Sequence, residues 1–309
     1  MIRFDGHAAT VSSLAFSPDS TLLAGGAKDG SLRLWDAAGG LVRDVQLWTL
    51  RPRTAVAWSP SGGVLAGADG KRLLFVPADG GELVFRESAG GISEITSLAY
   101  LADDLLAVGT DAPNHGRSGK LHLHGAIKLS NGPKAMSAEV RRPVPTPIAG
   151  SHGVRAITSH PPTRRFHWIA GLPNTPACVW RSWVITSPNA VDVKLGKPAS
   201  AIAVTPDGAT VAIATDWLVR LYSTTGNSGF GELAGHKGQV TGVGFVRGGR
   251  TVVSASWDET VRFWDVATKK ETARFTPGVG KLTALAVSPD GTRVAVGGTD
   301  GPITLIDAE

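Results

Sequence analysis

The residues best suited by type to do chemistry are His236, Ser254 and Asp258, an imidazole, a hydroxyl and a carboxylate that together suggest a hydrolytic triad. A serine nucleophile on a strained strand-to-helix elbow would carry a G-x-S-x-G motif, and none occurs. His122 and His124 are two apart on an expected strand, so they share a face and could bind a metal with His115 or His152. No carboxylate or cysteine completes that set, so these read as surface histidines and no metal is expected. Cys178, the single cysteine, stands between Ala177 and Val179 in an expected strand and reads as a small core residue. No P-loop, no dinucleotide fingerprint and no H-E-x-x-H is present, and the Gly-Gly pairs at 39–40, 80–81 and 90–91 fall between strands as turns. No cofactor is expected.

The triad-like residues lie in Gly235–Asp265, GHKGQVTGVGFVRGGRTVVSASWDETVRFWD. Apolar residues alternate around Val240, Val243 and Phe245. A glycine turn follows at Gly248-Gly249, then a second apolar run at Val252-Val253, a tight turn at Asp258 and a closing Trp264-Asp265. That pattern is three strands and their turns. A turn motif recurs along the chain: Ser17-Pro18-Asp19, Ser59-Pro60-Ser61-Gly62, Thr205-Pro206-Asp207-Gly208 and Ser288-Pro289-Asp290-Gly291, each after an alternating apolar strand. Proline presets φ at the second turn position and glycine closes the turn. Weaker equivalents start at Leu101, His160 and Val246.

The stretch Gly235–Asp265 resembles one WD40 repeat, from its Gly-His to its Trp-Asp, and Gly6-His7 to Trp35-Asp36 is a second copy. Such a repeat takes about 40–45 residues, and the seven turn markers keep that step save for one insertion of about 17 residues between the third and fourth. The resemblance implies an all-β chain: a seven-bladed β-propeller of four-stranded antiparallel blades. The chain ends after the third strand of the last blade, so Ile2–Phe4 is expected to supply the missing outer strand and close the ring. Residues 1–309 then form a single domain.

In this family a His, a Ser or Thr, the turn Asp and the Trp form a hydrogen-bond relay. The resemblance assigns it here to His236, Ser254 or Ser256, Asp258 and Trp264. The first copy keeps His7, Asp29 and Trp35 but has Gly25 and Ala27 at the serine positions. The triad is thus expected to be a fold device, and the protein not an enzyme. The implied role is a scaffold for protein partners, docked on the face that carries the outer-to-first-strand loops and the second-to-third-strand turns. Loop positions on that face are Lys28, Trp48, Arg51, Arg53, Arg117, Trp217, Lys237, Trp257 and Lys281, a mixture of tryptophan and cations suited to acidic segments.

Composition agrees with short strands and many turns: 39 glycines, 19 prolines and 18% charged residues in 309. The net charge of +5 and pI near 9.5 are a mild basic excess. Arg117, Lys120, Lys128, Lys134, Arg141 and Arg142 fall in Asp111–His152 against Asp111 and Glu139, so nucleic-acid binding there is a rival reading. Aromatic residues for base stacking are missing from that region, and Pro143–Pro147 reads as a stiff connector. A second rival is a propeller hydrolase or metal enzyme with a central-channel site. The lone cysteine, the opening without a signal core and the want of about 20 continuous apolar residues lead to the expectation of a monomeric cytoplasmic protein off the membrane, in a bacterial multi-protein or regulatory assembly.

Overall fold

The computed structural model describes residues 1–5, 7–46, 55–87, 94–111, 121–125, 154–160, 162, 165–170, 179–184, 190–225 and 228–308. The chain folds into successive antiparallel sheets, each a meander of neighbouring strands. The first sheet is Val11–Phe16, Leu22–Ala27, Ser31–Asp36 and Leu41–Gln46. The second is Val56–Trp58, Val64–Asp69, Arg72–Pro77 and Val84–Glu87, and the third Glu94–Ala102, Leu105–Asp111 and Leu121–Gly125. The fourth is Val154–His160, Arg165–Ala170, Val179–Val184 and Ala190–Lys194, and the fifth Ala199–Val204, Thr210–Thr215, Leu218–Ser223 and Gly229–Ala234. The sixth is Val240–Val246, Thr251–Ser256, Val261–Asp265 and Glu271–Phe275. The seventh joins Leu282–Val287, Arg293–Gly298 and Ile303–Asp307 to Ile2–Phe4 from the other end of the chain. There Ile2 pairs with Leu305, Arg3 with Thr304 and Phe4 with Ile303.

This is an all-β propeller, and one expectation is corrected. Six sheets, not seven, are complete four-stranded blades, because the third has three strands among the described residues. Residues 126–153, which follow its last strand, lie outside the description.

Burial explains the sequence pattern of each strand. Second strands such as Thr251–Ser256 are buried along their whole length, because both sheet faces press against neighbouring sheets. Outer strands such as Leu41–Gln46 are mostly exposed at the rim. The core is divided accordingly into apolar clusters between consecutive sheets. Phe4, Val11, Phe16, Trp35 and Leu305 join the seventh to the first, and Ile169, Trp180, Ile202, Ile213 and Tyr222 the fourth to the fifth.

Close sheet contact demands small residues on the second and inner strands. A Cβ on Gly297 would stand 2.6 Å from Val11 Cβ across the seventh-to-first joint, and one on Gly242 2.6 Å from Leu285 Cβ across the sixth-to-seventh. Gly297→Ala is expected to cost about 1–3 kcal/mol by overpacking, read as a lower urea midpoint at unchanged m. An unshifted midpoint would mean that the joint yields to the methyl group without strain.

The recurrent Ser/Thr-Pro-Asp-Gly turns are held by their own side chains. Ser17, Thr205 and Ser288 each donate to the Asp two residues on, at 2.5 Å, and accept the backbone N–H of Leu22, Thr210 and Arg293. Gly208 and Gly291 take φ of +72° and +73°. In the first sheet Ser20 takes that place at φ +61°.

Candidate functional site

The triad-like residues meet in the sixth sheet. Ser254 stands on its second strand, Trp264 on its third, Asp258 in the turn between them and His236 in the loop before the first. Trp264 Nε1 donates to Ser254 Oγ at 2.8 Å, Ser254 Oγ lies 2.7 Å from His236 Nε2, and His236 Nδ1 lies 2.9 Å from Asp258 Oδ2. With Asp258 accepting from Nδ1–H, Nε2 is the acceptor for the serine hydroxyl, so one neutral tautomer satisfies the chain from indole to carboxylate. Burial pushes the His236 imidazole below its usual pKa and outweighs the opposing pull of Asp258. Burial acts to raise Asp258, but hydrogen bonds from Thr260, the Lys237 N–H and His236 outweigh it and hold the carboxyl well below its ordinary range. Of the two candidate serines it is Ser254 that joins. Ser256 donates to the Gly238 carbonyl and accepts the Asp258 N–H, holding the turn.

These are the contacts of a catalytic triad without its access. Ser254 is fully buried and its oxygen already accepts from Trp264, so no acyl carbon can reach it. What the network can do is satisfy four buried polar groups at once.

Third-strand arginines carry a sequence signal that the Gly-His and Trp-Asp reading passes over. Arg262, two residues before Trp264, is buried and bridges Asp258 at 3.4 Å and Glu271 of the outer strand at 2.9 Å. Arg33, two before Trp35, bridges Asp29 at 3.6 Å and Asp44 at 3.0 Å. Arg220, two before Tyr222, reaches Glu232 at 3.0 Å and donates to the Leu195 carbonyl. The recurring x-R-x-[WY] on third strands marks all three. Hydroxyls after the first residue of inner strands form a second missed set. Ser200, Thr241 and Thr283 donate across the joint to the carbonyls of Val240, Leu282 and Val11.

The first sheet builds a shorter relay. His7 Nδ1 meets Ser31 Oγ at 2.8 Å, and Ser31 donates to Asp29 at 2.5 Å. Gly25 occupies the position of Ser254, so Trp35 Nε1 and His7 Nε2 have no hydrogen-bond partner, and the rings meet edge to face with centroids 5.3 Å apart.

Inner strands of all the sheets line a central channel of about 570 Å³. Its lining is hydroxyls and small apolar residues, and Lys28 is the charged member among the described residues. Of the expected partner-binding positions, Lys28 lines the channel. Lys28, Lys237 and Lys281 are exposed and make no ion pair among the described residues. Trp217 and Trp257 are 62% and 46% exposed, whereas Trp35, Trp168, Trp180 and Trp264 are buried. The Lys281 ammonium lies 5.9 Å from the Trp257 ring. The Asp216 carbonyl accepts from Val240 N–H and the Gln239 carbonyl from Trp257 N–H, so the two exposed tryptophan turns flank one backbone segment. Trp48, Arg51, Arg53, Arg117, His115, His152, Cys178 and Pro143–Pro147 lie outside the described residues, as do the side chains of His122 and His124. No helix among the described residues is long and apolar enough to cross a membrane.

Known proteins resemble parts of this chain. The family model described as "WD domain, G-beta repeat" matches residues 1–36 and 230–265. The Periodic tryptophan protein 2 homolog of Schizosaccharomyces pombe is 34% identical over 108 residues, 34% of this chain and 13% of that protein. Small ribosomal subunit protein RACK1y of Oryza sativa is 40% identical over 88 residues, 28% of this chain and 26% of that protein. A WD repeat-containing protein of Synechocystis is 33% identical over 97 residues, 31% of this chain and 28% of that protein. The chain thus spans less than a third of the length of each. These sources are diverse, and the expected bacterial setting gains no support from them.

Proposed function

We propose that this chain, a β-propeller with WD40 repeats at residues 1–36 and 230–265, is a non-catalytic scaffold holding an acidic segment of a protein partner on the face that displays Lys28, Trp217, Lys237, Trp257 and Lys281. One observation carries the reading: exposed tryptophans stand among lysines without ion partners, while Asp29 and Asp258 on that face are tied to Arg33 and Arg262. Unpaired lysine charge is therefore available on the face beside an aromatic apolar area, the composition of interface anchors for a carboxylate-bearing segment. By their place in the sequence Trp48, Arg51, Arg53 and Arg117 extend the same set. The buried triad-like network and a channel lining without carboxylate or imidazole among the described residues weigh against the hydrolase reading. We take residues 1–309 as one cytoplasmic propeller unit.

Affinity capture from the native host lysate tests this, comparing wild type with a Lys28→Glu/Trp257→Ala variant. The expected result is a partner retained by wild type and lost by a variant whose melting temperature is unchanged, since both side chains are exposed. Equal recovery by the two would remove this face from the interface.

A further inference from the structure

The fifth sheet's turn combines an acidic residue in the left-handed conformation with an exposed tryptophan and an open pocket. Thr215 pairs with Leu218, leaving Asp216-Trp217 as a two-residue hairpin loop. The second sheet has the same loop: Asp69 pairs with Arg72 around Gly70-Lys71. Gly70 and Asp216 play one backbone role, each offering its carbonyl to the next sheet's inner strand, to Ile95 N–H at 2.7 Å and Val240 N–H at 2.8 Å. Both are left-handed, at φ +59° and +51°. Glycine is the residue that takes this conformation without strain, yet the fifth sheet carries an aspartate there. Its carboxylate is 3.7 Å from Lys197 Nζ in a pair open to solvent on both sides, and it accepts no hydrogen bond in the relay manner of Asp29 or Asp258. Trp217, beside it, is the most exposed tryptophan among the described residues. A pocket of about 450 Å³ opens at this turn, lined by Lys197, Thr215, Asp216, Trp217, Leu218 and Arg220.

We propose that the Trp217 pocket is the anchor point for the acidic partner segment: a large apolar side chain of the partner lies on the Trp217 indole, and the carboxylate next to it replaces Asp216 on Lys197. This deepens the scaffold reading and rests on it for the identity of the partner as a protein. The occupant follows from complementarity. The pocket wall is an exposed indole with the Leu218 side chain, which suits a ring or branched aliphatic group. Its cation already holds a carboxylate, so the geometry for that group exists. An exposed ion pair of this kind is weak, so the exchange of one carboxylate for another costs little and the apolar contact decides binding. Asp216 is then an internal competitor that keeps Lys197 covered in the free protein.

The smallest probe with both features is N-acetyl-phenylalanine, a ring beside a free carboxylate. Its neutral amide and N-acetyl-argininamide are the controls. Titration of the full chain would be followed by the tryptophan indole N–H resonances in NMR, with the Trp217 signal assigned by its loss in Trp217→Ala. The free acid is expected to shift that signal saturably and the amide to bind about tenfold more weakly, one lost charge contact. Lys197→Ala should weaken the acid to the level of the amide. Asp216→Asn keeps a residue that tolerates the left-handed turn and removes the competitor, so it should tighten the acid several-fold. Equal binding of acid and amide, no shift of the Trp217 signal, or preference for the arginine probe would each overturn the proposal. Failure here with a partner still captured through Lys28 and Trp257 would leave the scaffold standing. A bound probe with no partner captured would sink the scaffold reading instead.

Discussion

Replacing Asp258 by alanine is expected to lower the unfolding free energy by about 3–5 kcal/mol, the cost of leaving a buried charge without its partner. Asp258 accepts from Lys237 N–H, from the Thr260 hydroxyl and from His236, and it faces the Arg262 guanidinium, whose side chain is 4% exposed. Removing it orphans several buried donors together and leaves Arg262 with Glu271 as its remaining carboxylate. The matching change in the first sheet, Asp29→Ala, should cost less, about 1–2 kcal/mol. There His7 and Arg33 stand 3.5 and 3.6 Å from the carboxylate, and Arg33 keeps Asp44 at 3.0 Å. Urea unfolding of both variants measures the difference. The double variant Asp258→Ala/Arg262→Met removes both charges and should recover part of the loss, because a methionine can fill the space without needing a counter-ion. Equal losses for Asp258 and Asp29, or no recovery in the double variant, would show that burial of Arg262 does not set the cost.

Acid should destabilise the joint between the fourth and fifth sheets through His167. This side chain is fully buried, lies against Trp180 with ring centroids 5.9 Å apart, and has no hydrogen-bond partner at either ring nitrogen. Burial, then the charges of Arg165 and His160, push its pKa down to about 3. The unfolded imidazole titrates near 6.5, so the unfolded chain binds the proton first as pH falls. The stability due to neutral His167 is whole above pH 6.5 and is lost progressively from there towards pH 3. Its full size is roughly 4–5 kcal/mol from the width of that window. His7 and His236 are shifted in the same direction and add to the slope. His167→Leu isolates the term: its stability should fall less steeply between pH 6.5 and 3. At pH 7 the leucine variant should be the more stable by about 1–3 kcal/mol, since two unsatisfied nitrogens leave the core. A leucine variant with the wild-type pH slope would show that His167 finds a proton acceptor in the native state.

Much of the architecture was legible because propeller strands impose repeating local demands. The Ser/Thr-Pro-Asp-Gly turns announced the ends of inner strands, since proline at the second position and a left-handed residue, mostly glycine, at the fourth suit the turn itself. The Ile2–Phe4 closure followed from a strand missing at one end and spare at the other, and the structure pairs it with Ile303–Leu305. The relay members could be named from their spacing, but the choice between Ser254 and Ser256 could not. Those two serines lie on the same face of one strand, and their partners are set by depth: Ser254 lies beneath Trp264, and Ser256 lies at the turn. The third-strand arginines escaped notice because each is read against a carboxylate on the next strand, whose register the sequence leaves open.

What the amino-acid sequence determined by itself was the alternation of short strands and turns, the all-β pattern that the structure assembles into propeller sheets. Those features depend on φ, on period-two burial and on residues within one sheet, all local along the chain. The tertiary structure alone decided which polar groups are usable. His236, Ser254 and Asp258 have the atoms of a catalytic triad and are sealed by packing between sheets. Lys28, Lys281 and the two exposed tryptophans have ordinary side chains and are left open to solvent. Burial of a side chain is a property of its neighbours across the joints, which come from distant parts of the chain, and that is why spacing could propose chemistry but not grant access to it.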